Sequence, residues 1–311
     1  MNPASISQAP VRPVRRTSRI FSADVAVFNI ISCVLLGVFA ILCVLPFYLI
    51  IVASFSSEQF LLTKGHSLTI QGFTLEAYRL ALMNSRGILN AYINTILLTL
   101  IGTSCAVFIA TMTGYVLSRK DFPWRNRFSF FFFFTTLFSG GLVPTYIMCV
   151  RYLNFKNNWL ALILPMLFSV WNMILSKNYM KSIPDAITES AKADGANDFR
   201  IYIQLILPLS MPLVATLLLF TGLAFWNDWM HCLLYINNRS MFTLQFFLQP
   251  LLGSIEMLRE AAQFSRIEIP VLPEESLKMA MTVIVTGPII LLYPFLQRYF
   301  VKGLTVGAVK G

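Results

Sequence analysis

Charge is scarce in this chain. Only 12% of its 311 residues are Asp, Glu, Lys or Arg, about half the roughly 25% of a soluble domain, which excludes an ordinary water-facing surface. Acids are the rarer sign, 14 against 24 basic residues, and only Asp228 lies well inside an apolar stretch. No HExxH, GxSxG or pair of acids within an apolar window occurs, so a membrane-embedded hydrolase has nothing to be built from. No GxxxxGK[ST] phosphate loop is present either, and ATP binding by this chain is not expected. His66 and His231 are too few and too far apart for a metal site. The five cysteines (Cys33, Cys43, Cys105, Cys149, Cys232) are odd in number and include no CxxC pair. They read as small buried hydrophobes rather than disulfide or metal partners. No cleavable signal peptide is evident, and the first apolar run is long enough to remain as an anchor.

What fills the chain instead is apolar surface, with 57% hydrophobic residues and a mean hydropathy of +0.69. A helix spanning a bilayer needs roughly 20 apolar residues. Long windows without charge run over 25–57, 87–118, 128–150, 157–176, 201–227 and 279–297. The expected class is an all-α membrane protein with six transmembrane helices, over about 25–54, 91–117, 128–150, 159–178, 211–235 and 279–298. A shorter window, 240–255, contains Gln245, Gln249 and Pro250 and reads as an interfacial or buried loop. Residues 1–22 read as a disordered tail, 23–302 as one membrane domain and 303–311 as a second short tail. Basic residues mark the cytoplasmic side. Arg12, Arg15, Arg16 and Arg19 precede the first span, and Arg119, Lys120, Arg125 and Arg127 fill the turn after the second, so both termini are expected in the cytoplasm. The net charge of +10 needs no nucleic acid to explain it, because these residues sit where anionic lipid head groups would be.

One segment is built differently. Between the fourth and fifth windows the chain reads SIPDAITESAKADGANDFRIYIQLILPLSMP over 182–212. Ser182 as N-cap, Pro184 in the first turn and Asp185 predict a helix over about 183–194. Gly195 can end it left-handed, and Asn197 can cap a second short helix running towards Pro208. Ile183, Ala186, Ile187 and Ala191 are expected to share one face, with Glu189 and Lys192 off it. The stripe fits a helix tucked beneath its own bundle, or one docked in a groove on a cytoplasmic partner.

The spacing of this segment resembles the EAA loop of binding-protein-dependent ABC importer permeases: Glu-Ala-Ala, three residues, Gly, nine residues, then Ile-x-Leu-Pro. Here Glu189-Ser190-Ala191 is followed by three residues ending at Asp194, then Gly195, nine residues and Leu205-Ile206-Leu207-Pro208. Ser190 and Leu205 are the departures. FSGGLVPTY (138–146), FWNDWMHCLLYINN (225–238) and the tail QRYFVKGLTVGAVKG (297–311) also resemble permeases of the maltose-permease-like, complex-oligosaccharide branch. The resemblance runs from about residue 25 to the end.

It implies the ABC importer type I permease fold in a bacterial cell membrane, and a permease that is not itself an enzyme. The implied partners are a second homologous permease, two ABC ATPase subunits and an extracytoplasmic solute-binding protein, with an oligosaccharide as cargo. ATP and Mg would sit on the ATPases and no cofactor on this chain. Glu189, Ser190, Ala191, Asp194, Gly195 and Pro208 are then the residues that couple to the ATPase. FSGGL (138–142) resembles the LSGGQ motif of ABC ATPases, but it lies inside an apolar window, where its glycines better serve close helix approach or a kink. Trp226, Asn227, Asp228 and Trp229 offer the aromatic faces, amide and carboxylate that suit a sugar path. They equally fit an interfacial aromatic belt with a structural hydrogen bond. An ion-coupled secondary transporter is the competing class, although such proteins carry ionisable groups near the midplane, and Asp228 is set off centre.

Overall fold

The computed structural model describes residues 23–83, 85–247, 274–288 and 290. Among these, every regular element is helical and no strand occurs. The chain divides into two units, one up to Leu49 and one from Ile50 onward. The first is most of α1 (Ala23–Ser54), which is apolar on all sides. Phe28, Val34 and Ile41 all stand exposed along it, as expected for a helix whose solvent is hydrocarbon.

In the second unit α2 (Glu58–Lys64) and α3 (Glu76–Met83) are short, and α4 (Ser85–Ser118) is long and apolar enough to cross a membrane. Around α4 pack α8 (Val170–Met180) and α12 (Met211–Trp226). Two glycines allow that approach. A Cβ on Gly102 would stand 2.6 Å from the ring of the fully buried Phe225, and one on Gly114 would stand 2.4 Å from the Ser176 Cβ. Glycine is therefore what lets α12 and α8 pack this closely against α4. Two side-chain hydrogen bonds tie neighbours into this packing: Asn172 Nδ2 donates to Thr221 Oγ1 at 3.1 Å, and the Leu244 N–H donates to Thr95 Oγ1 at 2.8 Å.

Three of the charge-free windows are not single helices. In 128–150, α5 (Arg125–Leu137) and α6 (Leu142–Ile147, continued by a π-turn over Met148–Tyr152) meet at 112°. Gly141 makes the corner at φ +84°, where side-chain-bearing residues are disfavoured, and Pro144 follows in the first turn of α6. No atom lies closer than 4.0 Å to a Cβ built on Gly140 or Gly141, so these glycines serve the kink and not close helix approach. In 201–227 the chain turns by 83° at Ser210, between the stretch Asp198–Leu209 and α12. Pro212 has no N–H to continue the earlier helix, so α12 starts afresh. A milder bend of 49° separates the stretch Leu160–Met166, which opens with α7 (Leu160–Ile163), from α8.

Three cysteines also depart from expectation: Cys149 and Cys232 are buried, but Cys33, Cys43 and Cys105 are exposed. On a helix in hydrocarbon the outward face is apolar too, and a small hydrophobe is at home on either side. Of the 240–255 window, residues 240–247 are described, and Thr243, Leu244 and Phe246 are buried there. The rest of that window and both tails, 1–22 and 303–311, lie outside the described residues.

Glu58 makes a long-range contact that composition could not foretell. It is buried, its carboxylate accepts the backbone N–H groups of Glu275 (2.9 Å) and Ser276 (3.0 Å), and it also accepts Ser276 Oγ (3.0 Å). Those are orphan donors at the start of the helix over 274–288, so α2 supplies a cap from 217 positions away.

Candidate functional site

The segment after α8 folds as two short helices joined by a left-handed glycine. α9 covers Asp185–Ala193, two residues later at its start than the sequence suggests. Ser182 is not its cap. The Ser182 hydroxyl donates to the Tyr179 carbonyl at 2.7 Å, satisfying the end of the preceding turn, and Pro184 stands at the N-cap without a side-chain bond. The C-terminus follows the sequence closely. Gly195 has φ +80°, its N–H donates to the Lys192 carbonyl, and the Ala196 N–H donates to the Ala191 carbonyl, both at 3.0 Å. That pair of bonds is the Schellman motif. Asn197 Oδ1 then accepts the Arg200 N–H at 2.8 Å and starts α10 (Asp198–Ile201). A π-turn over Tyr202–Ile206 and the short α11 (Leu207–Leu209) lead to the Ser210 corner.

α9 buries one side and presents the other. Thr188 and Ala191 are buried, Ile183 and Ile187 half-buried, but Ala186 points outward. The stripe is thus rotated from the expected one, and Thr188, too polar to be counted, takes the place given to Ala186. Beneath it Ile201, Tyr202 and Ile206 join Val107, Tyr115 and Met180 in one apolar cluster. Tyr202 stacks on Tyr115 with centroids 5.6 Å apart, and its hydroxyl lies 2.8 Å from Thr111 Oγ1 of α4. The outer side carries Glu189, Ser190 and Asp194. Glu189 is exposed, and among the described residues its carboxylate has no hydrogen bond or ion pair.

Charge holds the loop to the turn over 119–124. Arg119 grips Asp121 through Nε (2.9 Å) and Nη2 (2.6 Å), Lys192 reaches Asp121 at 2.9 Å and Asp198 at 3.1 Å, and Lys120 reaches Asp185 at 2.7 Å. The Arg119 guanidinium, and after it the Lys192 ammonium, hold the Asp121 carboxyl well below the usual carboxylate range. The same hydrogen bonds, from Asp121 first and Asp198 second, raise Lys192.

Of the six residues that the sequence marked for coupling, Glu189, Ser190, Asp194 and Gly195 lie exposed on one short arc. Ala191 belongs to the buried face, where it supplies a carbonyl to the Schellman turn. Pro208 is exposed in α11, beside the Ser210 corner. The four residues after Phe225 do not share a surface. Trp226 is buried with Ala91, Leu244 and Val285, and Asp228 is buried as well, whereas Asn227 and Trp229 are exposed. Asp228 Oδ1 lies 2.8 Å from His231 Nδ1, and its carbonyl accepts Thr243 Oγ1 at 3.2 Å. Asn227 Oδ1 accepts Gln245 Nε2 at 3.1 Å. These bonds staple the chain beyond α12 to the stretch around Thr243 and Gln245. Sequence reasoning did not foresee the His231 partner, although its spacing of three residues from Asp228 was there to be read. Among the described residues no three His, Cys, Asp or Glu side chains gather as metal ligands would.

Residues 77–306 match the family described as binding-protein-dependent transport system inner membrane component. The chain is 38% identical, over 88% of its length and 94% of the relative's, to the polygalacturonan/rhamnogalacturonan transport system permease protein YtcP of Bacillus subtilis (strain 168). It is 35% identical, over 92% of its length and 95% of the relative's, to the protein LplC of the same organism. A solved structure, that of a bacterial ABC transporter involved in the import of the acidic polysaccharide alginate, includes a chain similar to this one. The TM-score is 0.76 and the identity 27%, covering 91% of this chain and all of that one.

Proposed function

The chain belongs to the binding-protein-dependent transport system inner membrane components, and from that premise we propose that it imports an oligosaccharide, with α9 seated on an ATPase partner. It is a multi-pass permease subunit, and relatives whose names state a cargo carry saccharides, polygalacturonan/rhamnogalacturonan in one and the acidic polysaccharide alginate in another, so an ion-coupled carrier has no support. In this reading a second permease completes the pathway, two ATPase subunits bind and hydrolyse ATP with Mg, and an extracytoplasmic binding protein delivers the sugar. Both termini and α9 lie on the cytoplasmic side of a bacterial membrane.

The observation that carries the reading is the two-sidedness of α9. Thr188 and Ala191 bury its inner face against the ends of α4 and α8 and the Lys192–Asp121 pair ties its flank, while on its outer face Glu189 is exposed and, among the described residues, unpaired. Transmission needs a rigid element with two positions. When the ATPases close, α9 moves as a body with α10, and the movement passes through Tyr202 to α4 and through Ser210 to α12. Phe225, seated over Gly102, then carries it to the middle of α4. The test is energetic. Uptake in cells depleted of ATP but holding a proton gradient should cease, whereas collapse of the gradient with ATP present should leave it running. The reverse pattern would overturn the reading.

A further inference from the structure

Beside α9 lies a cavity of about 340 Å³, at the small end of ligand sites, which span about 300–1,000 Å³. Its wall is basic: Arg119, Lys120, Arg125, Lys177 and Lys181 line it, against the single carboxylate of Asp185. Two of these cations are already neutralised, Arg119 by Asp121 and Lys120 by Asp185. The other three have no carboxylate partner among the described residues. Arg125 donates only to the Arg119 carbonyl (3.3 Å), Lys177 only to Ser129 Oγ (2.6 Å), and Lys181 makes no side-chain bond. Three like charges around one hollow repel each other unless an anion shares it.

The surroundings say which anion. Arg125 opens α5, and within a turn that helix becomes a run of phenylalanines with Phe128 and Phe131 exposed. Next to Arg125, Trp124 is half exposed, and the Arg127 guanidinium stacks 4.7 Å from its ring centroid. An exposed Trp with a stacked Arg at the end of an apolar helix is the signature of head-group depth. The hollow therefore opens where phosphate is abundant and has apolar surface beside it for acyl chains. Basic pockets between spanning helices at this depth take phospholipid head groups.

We infer that this cavity binds the phosphate of an anionic phospholipid through Arg125, Lys177 and Lys181, with the acyl chains lying along the phenylalanines of α5. Ile183, Asp185 and Thr188 close the opposite wall, so the bound head group would also brace the root of α9.

The test is lipid retention by the full chain, purified in detergent, delipidated and then offered defined lipids, with native mass spectrometry as the readout. It depends neither on transport nor on which leaflet is involved, so it can fail while the proposed function stands. Phosphatidylglycerol should be retained over phosphatidylcholine. Lys181→Gln should weaken retention about fivefold, and the Arg125→Gln/Lys181→Gln pair about 25-fold. Lys181→Arg and the distant Lys156→Gln should retain it fully. Equal retention of the two lipids, or an unchanged affinity in the Lys181→Gln chain, overturns the site. Inorganic phosphate is the remaining arm: excess phosphate should leave the lipid in place, and its displacement by phosphate alone would make this a free-anion site and overturn the lipid assignment.

Discussion

Lys192 and Asp121 meet at 2.9 Å across 71 positions of sequence. The contact joins α9 to the turn that follows α4, two stretches that the Lys120–Asp185 pair also links and that the chain itself connects only through α5 to α8. Because both partners are largely exposed, the pair should matter for position more than for stability. Lys192→Ala is expected to change the thermal midpoint of the purified chain by little, while loosening α9. A spin-label distance between positions 123 and 190, which leaves the Lys120–Asp185 pair intact, should broaden in that variant and stay narrow in Lys192→Arg.

The same pair makes a pH prediction. Asp121 is depressed, so its contribution is complete above the ordinary aspartate value near 3.9 and fades only as pH falls through its lower folded value. Lys192 is raised, so its contribution is complete below about 10.4 and fades only as pH rises beyond that. Between about pH 5 and 9 neither titrates. The stability difference between the native chain and Asp121→Asn should therefore be flat over that range, and a step near neutrality would contradict the pairing.

Gly195→Val tests the turn that presents α9. A Cβ there meets nothing within 4 Å, so any harm comes from backbone strain alone, about 1–2 kcal/mol for a residue forced left-handed. Gly195→Asn, which tolerates that region, should be mild. Glu189→Ala should leave stability unchanged, since the carboxylate is exposed and, among the described residues, unpaired. It should weaken co-purification of the ATPase by about 1–3 kcal/mol if a charge-assisted contact forms there. Wild-type levels of bound ATPase and uptake in both Gly195→Val and Glu189→Ala would refute the docking role.

The glycines of α4 should rank by what they face. Gly114 meets Ser176 and, at 2.8 Å, the backbone nitrogen of Lys177, which cannot step aside. Gly102 meets a ring. Gly102→Ala should cost about 1–3 kcal/mol by overpacking, with partial rescue by Phe225→Leu. Gly114→Val should fail to accumulate and have no rescue at Ser176. Expression level and apparent melting temperature in detergent report both.

Glu58→Ala should release the first turn of the 274–288 helix at about 1–2 kcal/mol, the worth of a good cap. Hydrogen exchange should quicken at residues 275 and 276 and remain slow in the middle of α4.

Local chemistry was legible in the sequence, and distant geometry was not. Gly195 and Asn197 act where their residue types predict, because a Schellman turn and an N-cap are settled within five residues. Ser182 has the right chemistry for a cap, but a nearer carbonyl, that of Tyr179, takes its hydroxyl. Hydropathy could not see the corners at Gly141 and Ser210, since neutral residues inside an apolar window barely change its average. Glu58 is, in sequence, simply the first charged residue after the 25–57 window. Nothing in its neighbourhood signals a partner 217 residues away.

The 83° corner at Ser210 decides what kind of motion the loop can deliver. A displacement along the Asp198–Leu209 stretch projects only about one-tenth of its length onto the axis of α12, the cosine of 83°. Nearly all of it arrives crosswise. If the loop couples to an ATPase as proposed, the joint would act as a crank rather than a piston, tilting α12 at its foot and leaving its depth in the bilayer almost unchanged.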